Sequence, residues 1–188
     1  MIHKALSLVT DRLNAYIRLH LRVNEDKVVL SSLVQPDGSP GYPGENVIVA
    51  TLVNIQEEKI LPAAPPPRST REGYFLKTNP PVCLNLYVLL AASFKVHAEA
   101  LKFLSTVLAF YQEHRVLTRE NAPGMDPALN TLIFELTTLG FQEQSNLWAS
   151  LGAKYLPSVL FKVRMIRLED DGAAAEVPAV ASISSTLS

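Results

Sequence analysis

The stretch from Phe141 to Asp170, FQEQSNLWASLGAKYLPSVLFKVRMIRLED, constrains the fold more than any other part of the chain, because it dictates a helix, a stop and a strand in immediate succession. From Gln142 to Leu151, the side chains of Leu147, Trp148 and Leu151 recur at helical spacing, and Gly152 follows where a left-handed closing residue costs least. Pro157 has no N–H to give to a ladder, so it suits the first position of a strand. Beyond it Val159, Phe161, Val163 and Met165 point one way while Lys162 and Arg164 point the other, predicting a half-buried strand with a basic outer face.

The rest of the chain reads in the same terms. Ile2, Leu6, Val9, Leu13 and Ile17 recur every three or four residues between charged positions, which predicts an amphipathic helix and no cleavable signal. Lys27 to Val34 is a short strand. Gln35 to Glu45, QPDGSPGYPGE, is a turn-rich surface loop. Asn46 to Leu61 begins apolar on both faces and ends polar, predicting a strand covered on both sides for its first half and projecting from the core in its second. Pro62 to Asn79 reads as one long loop, opened by the polyproline run PAAPPP and apolar only at Tyr74, Phe75 and Leu76, so it is a candidate contact arm or a linker. A strand runs from Pro80 through Leu90. The helix over Lys95 to His114 has apolar residues on more than one stripe, as for packing on a sheet and on a second helix or subunit. Val116 to Arg119 suits a short strand, Asn121 to Ala128 a turn, and Leu132 to Thr137 another strand.

The expected order is α, β, β, β, α, β, α, β: an α+β single domain with a mixed β-sheet of about five strands and about three helices, largely on one face. It extends over 1–169, and 170–188, small and polar without period, is expected to be a flexible C-terminal tail. The 188 residues, 48% of them hydrophobic, suit one domain with a substantial core.

Composition excludes some functions. Lys and Arg number 17 against 18 acidic residues, a formal net charge of -1, which is no footprint for nucleic acid. The longest apolar run, Val88 to Phe94, is far short of the roughly 20 residues that span a bilayer, so no membrane partner is expected. Cys83 has no second cysteine to pair with, which fits a reducing compartment and assembly in the cytoplasm.

Chemical groupings are sparse. His3, His20, His97 and His114 are scattered, and on one helix the last two would stand about 25 Å apart at ~1.5 Å per residue, too far to share an ion. No GxSxG, HExxH or Walker motif occurs. The three glycines of the Gln35–Glu45 loop lack the Lys-Ser or Lys-Thr of a phosphate loop, and its prolines remove amide donors. Trp148 and Tyr155 suit core packing or stacking on a ligand, and Cys83 suits an inert core thiol. No catalytic residue, cofactor or metal is expected, although a ligand-binding or enzymatic α+β domain with a pocket around Tyr87, Tyr111 and Trp148 stays open as an alternative.

Three segments carry a resemblance: LWASLGAKYLPSVLFKVRMI, PPVCLNLYVLLAASF from Pro80 to Phe94, and IHKALSLVTDRLNAYI from Ile2 to Ile17. Together they resemble the cap proteins of contractile injection systems, a family similar to the tail terminators of contractile phages. The resemblance implies a structural cap, a hexameric ring that ends the inner tube and sheath at the end distal to the baseplate and joins them. Expected partners are other copies of the chain or a paralogue, the inner tube protein and the sheath protein, in a particle that is released or anchored. A phage tail-completion or connector protein is the variant within the same class. The candidate contact residues are Asp37, Tyr42, Glu45, Arg68, Arg71, Tyr74 and Phe75 in the loops, which lie outside the matching segments, and Lys162 and Arg164 on the final strand. The tail is expected to reach the sheath.

Overall fold

A computed structural model describes residues 1–58, 83–127 and 129–167, together with short strands at Arg68–Ser69, Tyr74–Lys77 and Ala175–Pro178. Helix α1 (Ile2–Leu21) leads into strands β1 (Val28–Leu30) and β2 (Val47–Glu57), then β3 (Arg68–Ser69), β4 (Tyr74–Lys77) and β5 (Cys83–Ser93). Helix α2 (His97–Glu113), strands β6 (Val116–Thr118) and β7 (Leu129–Thr137), helix α3 (Phe141–Leu151) and strands β8 (Ser158–Arg167) and β9 (Ala175–Pro178) complete the chain. Six strands form one sheet in the order β1-β2-β5-β8-β7-β6, parallel between β1 and β2 and antiparallel elsewhere. The mixed sheet and three helices match the expected architecture, and the short strand read at Val116 to Arg119 is β6, at one edge.

The pleat divides the sheet between two cores. Leu86, Val88 and Leu90 of β5 and Phe161, Val163 and Met165 of β8 face α1 and α2 in the larger one. There Tyr111 lies against Phe161 and Phe134, with ring centroids 4.0 and 4.9 Å apart. The alternate residues Leu89, Ala91 and Leu160 face the other way and are covered by Trp148 of α3 and by Leu33 and Tyr42. The third helix therefore lies on the opposite face from the other two, and its one buried residue there is Trp148. This arrangement removes the ligand pocket considered around Tyr87, Tyr111 and Trp148. Tyr111 belongs to the larger core and the other two to the smaller, so the sheet stands between them.

The helix ends follow local chemistry. Gly152 closes α3 at φ 64°, and its N–H bonds the Ala149 carbonyl at 3.1 Å. At the other end the Glu143 carboxylate accepts the Gly140 N–H at 2.8 Å, favourable for a helix start. Asn14, buried on the core side of α1, joins that helix to β1. Its Nδ2 donates to the Val28 carbonyl at 2.9 Å, while its Oδ1 accepts the N–H groups of Lys27 and Val28 at 2.9 and 2.8 Å. Tyr16 joins α1 to α2 by donating to Glu113 Oε1 at 2.7 Å. Among the described residues no helix is long and apolar enough to cross a membrane.

Two expectations differ from the structure. The segment read as one long loop contains β3 and β4, and the segment read as a flexible tail contains β9, which pairs antiparallel with β4 from Tyr74↔Pro178 to Lys77↔Ala175. Loop and tail thus share a three-stranded sheet in the order β3-β4-β9. Strands of two to four residues are too short to show alternation in a sequence, and the partner of β4 lies far along the chain.

Candidate assembly surfaces

Three kinds of surface gather the candidate residues, and a fourth holds none of them. The first is the lower half of the smaller-core face, where the register sets Tyr87, Lys162 and Glu135 in one row and Asn85, Arg164 and Ile133 in the next. Lys162 Nζ stands 3.9 Å from both Glu58 Oε2 and Glu135 Oε2, and Arg164 reaches the same two carboxylates at 3.5 and 3.7 Å. Asn85, buried beside them, donates to Glu58 Oε2 at 3.2 Å, and Tyr87 donates to Gln56 Oε1 at 3.0 Å. The basic strip read from the alternation is thus a neutral patch of alternating charge. Its carboxylates come from β7 and the end of β2, which alternation within β8 cannot reveal. The contacts are long and half-exposed, so each is worth at most about 1 kcal/mol.

The second surface is the loop before β2, which is tied down throughout. Gln35 N–H bonds the Ser39 carbonyl at 2.8 Å, and Asp37 Oδ1 accepts both the N–H and the hydroxyl of Ser39 at 2.9 and 2.6 Å. Those hydrogen bonds hold the Asp37 carboxyl below the usual carboxylate range. At Gly41 a Cβ would come within 2.4 Å of the Ser32 carbonyl oxygen, so this close approach of two backbones requires glycine. Tyr42 donates to Ser93 Oγ at 2.8 Å and Glu45 pairs with Lys95, so both fasten the loop to the end of β5 and the start of α2. Asp37 is exposed at its tip.

The third surface is the small sheet, which holds three candidates in its backbone, Arg68 in β3 and Tyr74 and Phe75 in β4. Arg71 lies outside the described residues.

The fourth surface was missed by the sequence reading: the two incomplete edges of the large sheet. The three-residue β1 covers β2 only at Ile48–Ala50, and the three-residue β6 covers β7 only at Thr131–Ile133. Beside the uncovered part of β7, a groove of about 590 Å³ opens between that strand and α2, lined by Leu108, Tyr111, Arg115, Phe134 and Leu136 among others. Leu136 is 58% exposed and Leu108 39%. The signal was available in the short length of the Val116–Arg119 strand against the longer strand following it.

Among the described residues no group of three or more His, Cys, Asp or Glu side chains could hold a metal ion. His97 begins α2 and His114 ends it, with His114 Nδ1 3.1 Å from the Phe110 carbonyl oxygen. Cys83 is buried, and Tyr155 is exposed with its ring edge-on to Trp148.

The chain is similar over its whole length, at 18% identity and a TM-score of 0.66, to the sheath/tube terminator of the extracellular contractile injection system PVC in its extended state, covering 63% of that protein. It is also similar to the tube-terminating cap of the anti-feeding prophage AFP, at 17% identity and a TM-score of 0.59, with 95% of this chain and 60% of the other covered. The chain therefore spans about three fifths of each of these two proteins. No curated protein sequence matches it. The family described as the Pvc16 N-terminal domain matches residues 7–182. With that match spanning nearly all of its length, the chain belongs to the Pvc16 N-terminal domain family.

Proposed function

We propose that this chain is a structural cap of a contractile injection particle, ending the inner tube and joining it to the sheath, and not an enzyme. The observation that carries the reading is the family match over residues 7–182, supported by whole-chain likeness to a sheath/tube terminator and to a tube-terminating cap. Its partners are then the tube protein, the sheath protein and further copies of itself, in a hexameric ring assembled in the cytoplasm as part of a particle that acts outside the cell.

The mechanism is geometric. A ring whose subunits meet head to tail closes on itself, and its far face offers the next layer no copy of the surface on which it sits. Elongation stops there. The fastened loop with Asp37, Tyr42 and Glu45, and the β3-β4-β9 sheet with Arg68, Tyr74 and Phe75, are the surfaces we assign to tube or neighbour contacts, together with Arg71. Lys162 and Arg164 belong to the same assignment as an alternating-charge patch, which sets register more than affinity. Since β9 pairs with β4, the tail and the arm act as one unit toward whichever partner they meet.

Elongation of purified tube protein tests the reading. Substoichiometric amounts of the chain should halt growth at the end they occupy, giving shorter tubes as the ratio rises. Tubes of unchanged length with no bound chain would refute it.

A further inference from the structure

The small sheet repeats the order of three central strands of the large one. β3 follows β2 in the chain, β4 precedes β5 and β9 follows β8, and β3-β4-β9 pair antiparallel throughout, as β2-β5-β8 do. The ladders of the two sheets are nevertheless not continuous. Leu76 lies eight residues before Leu84, whereas its partner Arg68 lies eleven after Glu57, the partner of Leu84. Likewise Lys77 lies six residues before Cys83, whereas its partner Ala175 lies nine after Ile166, the partner of Cys83. Each outer strand therefore carries three residues more than the middle one, about 10 Å of chain at ~3.3 Å per residue. An excess on one side breaks a regular ladder, so pairing β8 with β5 does not force β9 onto the β4 of the same chain.

We propose that β9 is exchanged between copies in the assembled particle: the tail of one copy pairs with β4 of the next, so that each copy gives one tail and receives one. The inference rests on the ring proposed above and names a contact between its neighbours. Such an exchange preserves every pairing of the closed chain, because β9 meets the same four residues, Tyr74–Lys77, in another copy. No new complementary surface is needed. Donor and acceptor are different segments, so the tails pass in one direction around a ring, as a head-to-tail assembly requires. The reach is sufficient. Arg167 and Ala175 are eight residues apart, up to about 27 Å of extended chain at ~3.4 Å per residue and several times the ~4.8 Å between neighbouring strands.

Charge selects the occupant. Residues 68–77 contain Arg68, Arg71 and Lys77 against Glu72 alone, whereas 168–178 contain Glu169, Asp170, Asp171 and Glu176 and no Lys or Arg. Opposite signs steer a tail to an arm, and like signs disfavour two arms or two tails together. A ladder of four residues is short enough to open and re-form while copies assemble. Once the ring has gathered the copies, the arm of the neighbour is a tethered partner at high effective concentration.

Mixed assembly tests the exchange. Particles are made with equal amounts of two chains, one carrying Leu76→Cys and the other Glu176→Cys, positions that face each other in the ladder, and are then oxidised. Phe75→Cys with Val177→Cys is the adjacent pair. Opposed residues alternate between close and wide spacing, so one of the two pairs approaches as a disulfide requires. Cys83 is buried and should be spared. The expected product, from at least one pair, is a covalent species of twice the chain mass in the mixture and little of it from either variant alone. With both cysteines on every chain a ladder of higher multimers is expected. Mixed chains that stay monomeric in both pairs, or single variants that cross-link as well as the mixture, would overturn the exchange. Tube length and the terminal ring report separately on the terminator reading: particles of controlled length with capped ends, in which the doubly substituted chain closes its disulfide only within itself, keep the cap and discard the exchange.

Discussion

One buried polar side chain, Asn14, ties the first helix of this chain directly to the backbone of its sheet. Asn14 sits between Leu13 and the apolar stripe of α1, where a helix built only for packing would carry a hydrophobic residue. Its three hydrogen bonds satisfy the start of β1, so Asn14→Ala strands two N–H groups and one carbonyl. The expected cost is about 2–3 kcal/mol, read as a melting temperature lower by roughly 4–12 °C. Tyr16 behaves differently. Burial, and then the Glu113 carboxylate that accepts its hydrogen bond, raise its pKa above the ordinary tyrosine value. A raised folded value means that its contribution is complete below the unfolded pKa of about 10 and is lost as pH climbs through the folded one. Tyr16→Phe should therefore lower stability near neutrality by about 1 kcal/mol and flatten its decline above pH ~10. Denaturant titrations at pH 7 and above pH 10 check both. An equal decline in both proteins would assign the alkaline loss elsewhere, with buried Tyr111 the next candidate, since burial raises its pKa too.

Elements long enough to show a period were legible in the sequence. The stripe of α1, the apolar opening of β2, the alternation of β5 and β8 and the Gly152 stop of α3 all appear in the structure where their patterns place them. What was not legible depends on partners distant in the chain. β3, β4 and β9 are two to four residues long, and the carboxylates beside Lys162 and Arg164 come from two other elements. The loop before β2 was read correctly as turns, but its fastening through Tyr42 to Ser93 and Glu45 to Lys95 bridges some 50 residues. Pairing of β4 with β9 has a direct consequence. Removal of residues 171–188 takes away the β9 ladder, so amide exchange at Tyr74–Lys77 should accelerate while that of β5 and β8 stays unchanged. Unchanged exchange at Tyr74–Lys77 would mean that β9 does not hold the arm.

At the scale of the whole molecule, a six-stranded sheet with helices on both faces would ordinarily be finished by covering or charging its edges. Here each outermost strand is three residues long and leaves half of its neighbour open, while the described residues gather no metal-binding cluster. On the reading proposed above, such a chain meets other surfaces through its sheet edges, its fastened loop and its two-part arm. Ending a polymer demands just this: a subunit complementary to the last layer and to its own neighbours but not to another layer. The most direct measurement is electron microscopy of particles assembled with and without the gene, recording tube length and the density at the blunt end. The account predicts a narrow length distribution and a terminal ring with the gene, and scattered lengths with bare ends or lost sheath without it. Particles alike in length and end density would contradict it.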